Sequence, residues 1–136
     1  MKSIPIIVFT LFIFSACSKK INSCSYSDGS NNTYTLVIKG AECIFNYIPV
    51  TPRESSSGTY SGGSPVQKTI SQTEYNEVCN LMISLKEDKT QHISDRVMGS
   101  GAVSISRCNR EQTFILSSSS EGKKKLEEKL QLIKSK

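Results

Sequence analysis

Two pairs of short apolar runs with a two-residue repeat constrain this chain more than any other feature. In Tyr34–Ile38 the side chains of Tyr34, Leu36 and Ile38 fall on one face, the period of a half-buried strand. Lys39-Gly40-Ala41-Glu42 breaks that run, and Cys43–Ile48 resumes it with Cys43, Phe45 and Tyr47 on one side. The two segments read as a hairpin. A second pair lies near the C-terminus, where Val103 and Ile105 alternate with Ser104 and Ser106, and Phe114 and Leu116 with Thr113 and Ile115. Arg107-Cys108-Asn109-Arg110 supplies its turn. Between the pairs, Gly58–Ile70 carries Thr59, Tyr60, Val66 and Thr69, interrupted by Gly62-Gly63-Ser64-Pro65. That segment predicts a third strand with a bulge or kink at the glycines.

Elsewhere the period lengthens. Ser71-Gln72-Thr73-Glu74 is a capping box, and Tyr75, Val78, Cys79, Met82 and Leu85 behind it recur at helical spacing as far as about Glu87. Leu126, Leu130 and Ile133 stand at i, i+4 and i+7 and predict a closing helix. Ser120 is placed as its N-cap, with Glu121 at the positive end of its dipole. Asp88–Gly101, between the first helix and the second hairpin, reads as a polar, mobile connection. The order β-β-β-α-β-β-α predicts an α+β domain over residues 34–136, an antiparallel sheet with both helices on one face.

The first sixteen residues follow a different logic. Lys2 precedes the apolar run Ile4–Phe14, which gives way to Ser15 and Ala16. Those are the basic region, apolar region and small-residue exit of a secretory signal. The run falls short of the about 20 apolar residues a helix needs to cross a bilayer. Phe14-Ser15-Ala16-Cys17 resembles the lipobox of bacterial lipoproteins, with Phe14 where that family prefers Leu. The resemblance covers about the first twenty residues and implies a diacylglycerol thioether on Cys17, with a further acyl chain such as palmitate on its freed amine. Two or more chains make such an anchor durable. Ser18 after the Cys resembles the signal for passage to the outer membrane, the domain then facing the periplasm or the cell surface. The polar stretch from Cys17 to Thr33 reads as a tether.

The net charge of +5 gathers in the last segment, at Lys123, Lys124, Lys125, Lys129, Lys134 and Lys136. No aromatic residue interleaves with these lysines to stack bases, so a solvated helix face is the expected role and nucleic acid is not an expected partner. Beyond Cys17 there are four cysteines, Cys24, Cys43, Cys79 and Cys108. In an exported chain they favour disulfides. Gaps of tens of residues do not suit a zinc site, where ligands come in close pairs. Three pairings are open. Tying helix to second hairpin favours Cys79 with Cys108, and tying tether to first hairpin favours Cys24 with Cys43. Cys43 and Cys79 equally suit buried thiols on apolar faces.

No catalytic constellation emerges. His92 is the only histidine and falls in the polar connection, G-x-S-x-G is absent, and the acidic residues on the first helix serve capping and solvation. Gly62-Gly63 lacks the Lys-Ser/Thr ending of a phosphate loop, and no cofactor or metal is expected. Asn31-Asn32-Thr33 matches a glycosylation sequon that most bacteria do not use. The polar, small-residue loop around Tyr60, Ser61, Gly62 and Gly63 remains as the candidate partner-binding element, since loops on a rigid scaffold often carry binding. The expected function is a non-enzymatic envelope binding module, an inhibitor or immunity-type protein against a secreted enzyme or toxin. The alternative is an accessory subunit of an outer-membrane complex.

Overall fold

A computed structural model describes residues 21–108 and 110–136. The leader and Cys17 lie outside the described residues. The strands are β1 (Ser23–Ser27), β2 (Thr33–Lys39), β3 (Glu42–Ile48), β4 (Val66–Ile70), β5 (His92–Ile93), β6 (Gly101–Arg107) and β7 (Arg110–Leu116). The helices are α1 (Gln72–Glu87) and α2 (Glu121–Ser135). One antiparallel sheet runs β4-β3-β2-β1-β6-β7-β5. Both helices pack on the same face, so the chain is an α+β domain of the expected kind with a wider sheet.

Three segments depart from the sequence reading. The stretch read as tether contains β1, the central strand. Cys24 and Tyr26 point into the core while Ser23, Ser25 and Ser27 lie on the uncovered face. With serine at every outward position, the run looks like linker until its two neighbours are known. The kinked third strand is shorter than expected: β4 begins at Val66, after Pro65, and residues 58–65 are loop. The polar connection after α1 is also partly ordered, because Lys89–Gln91 makes one 3-10 turn and β5 then pairs with β7 at the sheet edge. His92, expected in a solvent-exposed loop, is half-buried there. Its Nε2 lies 2.8 Å from the Leu85 carbonyl and its ring stacks on Phe114 at 4.7 Å.

The covered face is the core. Tyr26, Leu36, Phe45, Met82, Leu126 and Leu130 are fully buried, and burying each such side chain is worth about 1.5–3 kcal/mol. The capping box forms as read: Ser71 accepts from the Glu74 N–H and the Glu74 carboxylate accepts from the Ser71 N–H. Ser120 caps α2 through the Lys123 N–H. At the other end of α2, Lys68 reaches over from β4 and donates to the Ile133 and Lys134 carbonyls at 2.8 and 3.1 Å, satisfying acceptors the last turn leaves open. Gly122 lets the helices meet, because a Cβ there would overlap Leu85. The lysines of α2 and its C-cap are mostly engaged: Lys123 with Glu127, Lys124 with Glu121, Lys129 with Glu77, Lys136 with Glu74, and Lys134 over the Tyr47 ring.

Candidate functional site

The strand directions send three connections to one end of the sheet: the β1–β2 turn (28–32), the β3–β4 loop (49–65) and the segment before β6 (94–100). The start of α2 lies beside them. Residue 21, the β2–β3 turn and the β6–β7 turn lie at the opposite end, about 24 Å away for a seven-residue strand. The loop end is held by hydrogen bonds and by close backbone approaches.

Asn32 is its hub. It is 4% exposed and joins the β1–β2 turn to the β3–β4 loop. Its Nδ2 donates to Asp28 Oδ2 at 2.9 Å and to the Tyr60 hydroxyl at 3.0 Å, while its Oδ1 accepts from the Val50 N–H at 3.0 Å. Asp28 Oδ1 accepts from the N–H groups of Ser30 and Asn32, each at 2.9 Å, an Asx turn with Asn31 in the left-handed region. Gly62 comes in so close that a Cβ would overlap Asn32 Oδ1, and its carbonyl accepts from Tyr47 Oη at 2.6 Å. The Ser/Gly-rich loop is therefore fastened at Val50, Tyr60 and Gly62.

The third connection is fastened separately. Ser100 is fully buried, and its hydroxyl accepts from the Val97 N–H at 3.1 Å and donates to the Val97 carbonyl at 2.6 Å. Gly99 adopts a positive φ of 77° and packs its backbone against Gly29. Arg96 Nη2 donates to the Asp28 carbonyl at 2.6 Å. The tight turn pushes Val97 and Met98 outward, 55% and 96% exposed.

Two clefts flank Gly29 and Ser30. One, of about 320 Å³, runs under the serines of the β3–β4 loop to Glu54 and Tyr60. The other, of about 520 Å³, lies between Met98, Tyr34 and the Lys123–Glu127 pair of α2. Behind it Tyr26 Oη donates to Glu127 at 2.6 Å and Gln131 Nε2 donates to Tyr34 Oη at 2.7 Å. Burial first, then the Glu127 carboxylate, holds the Tyr26 phenol in its protonated form far above the usual tyrosine range. At the rim the Thr51 hydroxyl and N–H keep the Glu54 carboxyl below its ordinary value. These groups can hold a polar or charged partner.

Of the five large apolar side chains exposed among the described residues, Ile48, Tyr60, Val97 and Met98 stand at this end and Leu132 on α2. The uncovered sheet face differs. Gln67, Asn46, Thr35, Ser25, Ser104 and Thr113 form one row of short polar side chains across six strands. A shallow cleft of about 500 Å³ opens over its Ser25–Thr113 half.

Among the residues expected to bind, Tyr60 is 41% exposed and sits on the loop end with Ser61 and Gly63, while Gly62 serves to seat the loop. No sequence pattern marks Asp28, Val97 or Met98 as part of a site, and Asn32 stands out there only as the centre of an unused sequon. The meeting of Gly29 with Gly99 joins residues 70 positions apart, which no local signal encodes. The cysteines are placed otherwise than the preferred pairings required. Cys24 Sγ lies 2.7 Å from Cys79 Sγ, whereas Cys43 is two strands from Cys24 and faces Gln72 Oε1 at 3.5 Å. Cys108 is at the β6–β7 turn with a positive φ of 50°. Among the described residues no group of three His, Cys, Asp or Glu side chains is placed to hold a metal. Comparison with protein-family models, curated proteins and solved structures finds no match.

Proposed function

We propose that the chain is a membrane-anchored bacterial envelope lipoprotein whose domain acts as a non-enzymatic binding module, an inhibitor or immunity-type protein against a secreted enzyme or toxin. The observation that carries this reading is the gathering of Tyr60, Val97 and Met98, with Arg96, on loops held stiff by Asn32 and Ser100. Tyr, Met and Arg are the residues enriched at protein interfaces, and pre-ordered loops lose little entropy on binding. A lipid on Cys17 would sit only four residues before residue 21. That end would then face the membrane, and the loop end would project away from it toward an arriving partner.

Affinity capture of the domain from envelope and secreted fractions tests the reading when run beside a Tyr60→Ala/Met98→Ser double variant. The expected result is a secreted enzyme or toxin recovered by the unaltered domain and lost with the variant. Equal recovery by both would refute the assignment of the loop end. The anchor is tested separately by Cys17→Ser, which should leave the protein out of the membrane fraction. Normal membrane fractionation of that variant would refute the anchor. The second reading, an accessory subunit of an outer-membrane complex, draws on the uncovered polar sheet face, which is broad enough to lie against a neighbouring protein.

A further inference from the structure

We propose that Cys24 and Cys79 close an internal disulfide, bolting the central strand of the sheet to the helix that covers it, whenever the chain meets a disulfide oxidant. Their sulfurs stand 2.7 Å apart, a small side-chain rotation from the about 2.05 Å of a disulfide. Both side chains are buried, at 1% and 2% exposure, so rotamer freedom is already restricted and no backbone segment has to be brought in. Cys43 is a poor rival, because two strand spacings put its Cα about 10 Å from that of Cys24, beyond the about 7 Å that a disulfide spans without backbone movement.

The surroundings also supply a route. A cleft of about 150 Å³ lined by Ile21, Tyr75, Asn76, Asn80 and Arg107 reaches Cys79. The S–H of Cys24, and then the Tyr75 hydroxyl, favour the thiolate at Cys79, whereas Cys24 is pushed up by its contact with Cys79 and by burial. Cys79 lines that cleft and Cys24 does not, so Cys79 is the sulfur that attacks. Its thiolate displaces one thiolate from a small or protein disulfide, forming a mixed disulfide. Cys24 then loses its proton, attacks Cys79 Sγ and expels the second thiolate. Two electrons pass from the cysteine pair to the oxidant, and the two protons end on the oxidant's thiols.

The closed loop joins residues 55 apart, long enough for a large entropic effect on the unfolded chain. The experiment uses the full chain, reduced, exposed to oxidised glutathione, blocked with iodoacetamide and digested with trypsin without reductant. Trypsin places Cys24 in peptide 21–39, Cys43 in 40–53 and Cys79 in 69–86. The expected result is 21–39 joined to 69–86, lighter than the two free thiol peptides by two hydrogen atoms and separated by reductant. Oxidation should raise the melting temperature by more than about 10 °C. Cys43→Ala should keep link and shift, and Cys24→Ala and Cys79→Ala should lose both. Recovery of 21–39 and 69–86 each individually blocked, or joined to 40–53 or to the Cys108 peptide instead, would overturn the proposal. The peptide map of the unaltered chain decides the pairing even if an alanine variant fails to fold.

Discussion

At the centre of the sheet, Tyr26, Leu36 and Phe45 are held by apolar packing under α1 and α2, whereas at the loop end Asn32 ties the β1–β2 turn to the β3–β4 loop through directed hydrogen bonds. The first arrangement is non-directional and tolerates no lost volume. The second is directional, and it leaves Val97 and Met98 facing outward beside the partly exposed, hydrogen-bonded Tyr60. The covered face therefore supplies most of the stability, and the loop end supplies a shaped surface on which Val97 and Met98 contribute little to folding.

Replacements at the two places should separate accordingly. Phe45→Ala, at the buried centre, should cost about 3–5 kcal/mol in chemical denaturation. A loss below about 1 kcal/mol would mean that the core is not packed as described. Asn32→Ala strands the Val50 N–H and releases Tyr60, and should cost about 2–3 kcal/mol. Its more specific consequence is faster hydrogen exchange at Val50 and Gly62, with protection in β6 and β7 unchanged. Unchanged exchange at Val50 would show that the loop is seated by something other than Asn32.

A smaller effect is expected at the start of α1. The Lys136 ammonium first, then the Ser71 N–H and hydroxyl, hold the Glu74 carboxyl down to about 2, below the about 4.3 of a free glutamate. A depressed carboxyl stabilises the fold above its unfolded pKa and loses that contribution as pH falls toward its folded value. Because Lys136 is largely in solvent, Glu74→Ala should cost only about 1 kcal/mol at pH 7. The gap to the unaltered protein should close near pH 2. A gap that widened on acidification would reverse the assignment. Smallest of all, Met98→Ser should change stability by less than about 0.5 kcal/mol, because the side chain is 96% exposed. A larger loss would place Met98 in the structural part of the molecule.

How far the sequence could be read follows the same division. Covered positions obey a period, so both hairpins, α1 with its capping box and α2 with Ser120 as cap stood out from residue order. β1 did not, because a five-residue strand with serine at every outward position carries no signal until it is known to lie between β2 and β6. The loop end depends on contacts between residues as far apart as Asp28 and Arg96, which no local pattern encodes. Tyr60 was reachable as an aromatic in a Ser/Gly-rich loop, whereas Asn32 looks like any turn asparagine and Met98 like part of a polar connection. The meeting of Cys24 and Cys79 has the same origin, since it depends on which strand becomes central.

Site-specific photo-crosslinking in intact cells distinguishes the two candidate binding surfaces, with the photoreactive residue at position 98 on the loop end or at position 113 on the uncovered sheet face. A covalent adduct to a discrete protein is expected through position 98 and none through position 113. An adduct through position 113 with position 98 silent would contradict this expectation and move the binding surface to the hydroxyl-lined sheet.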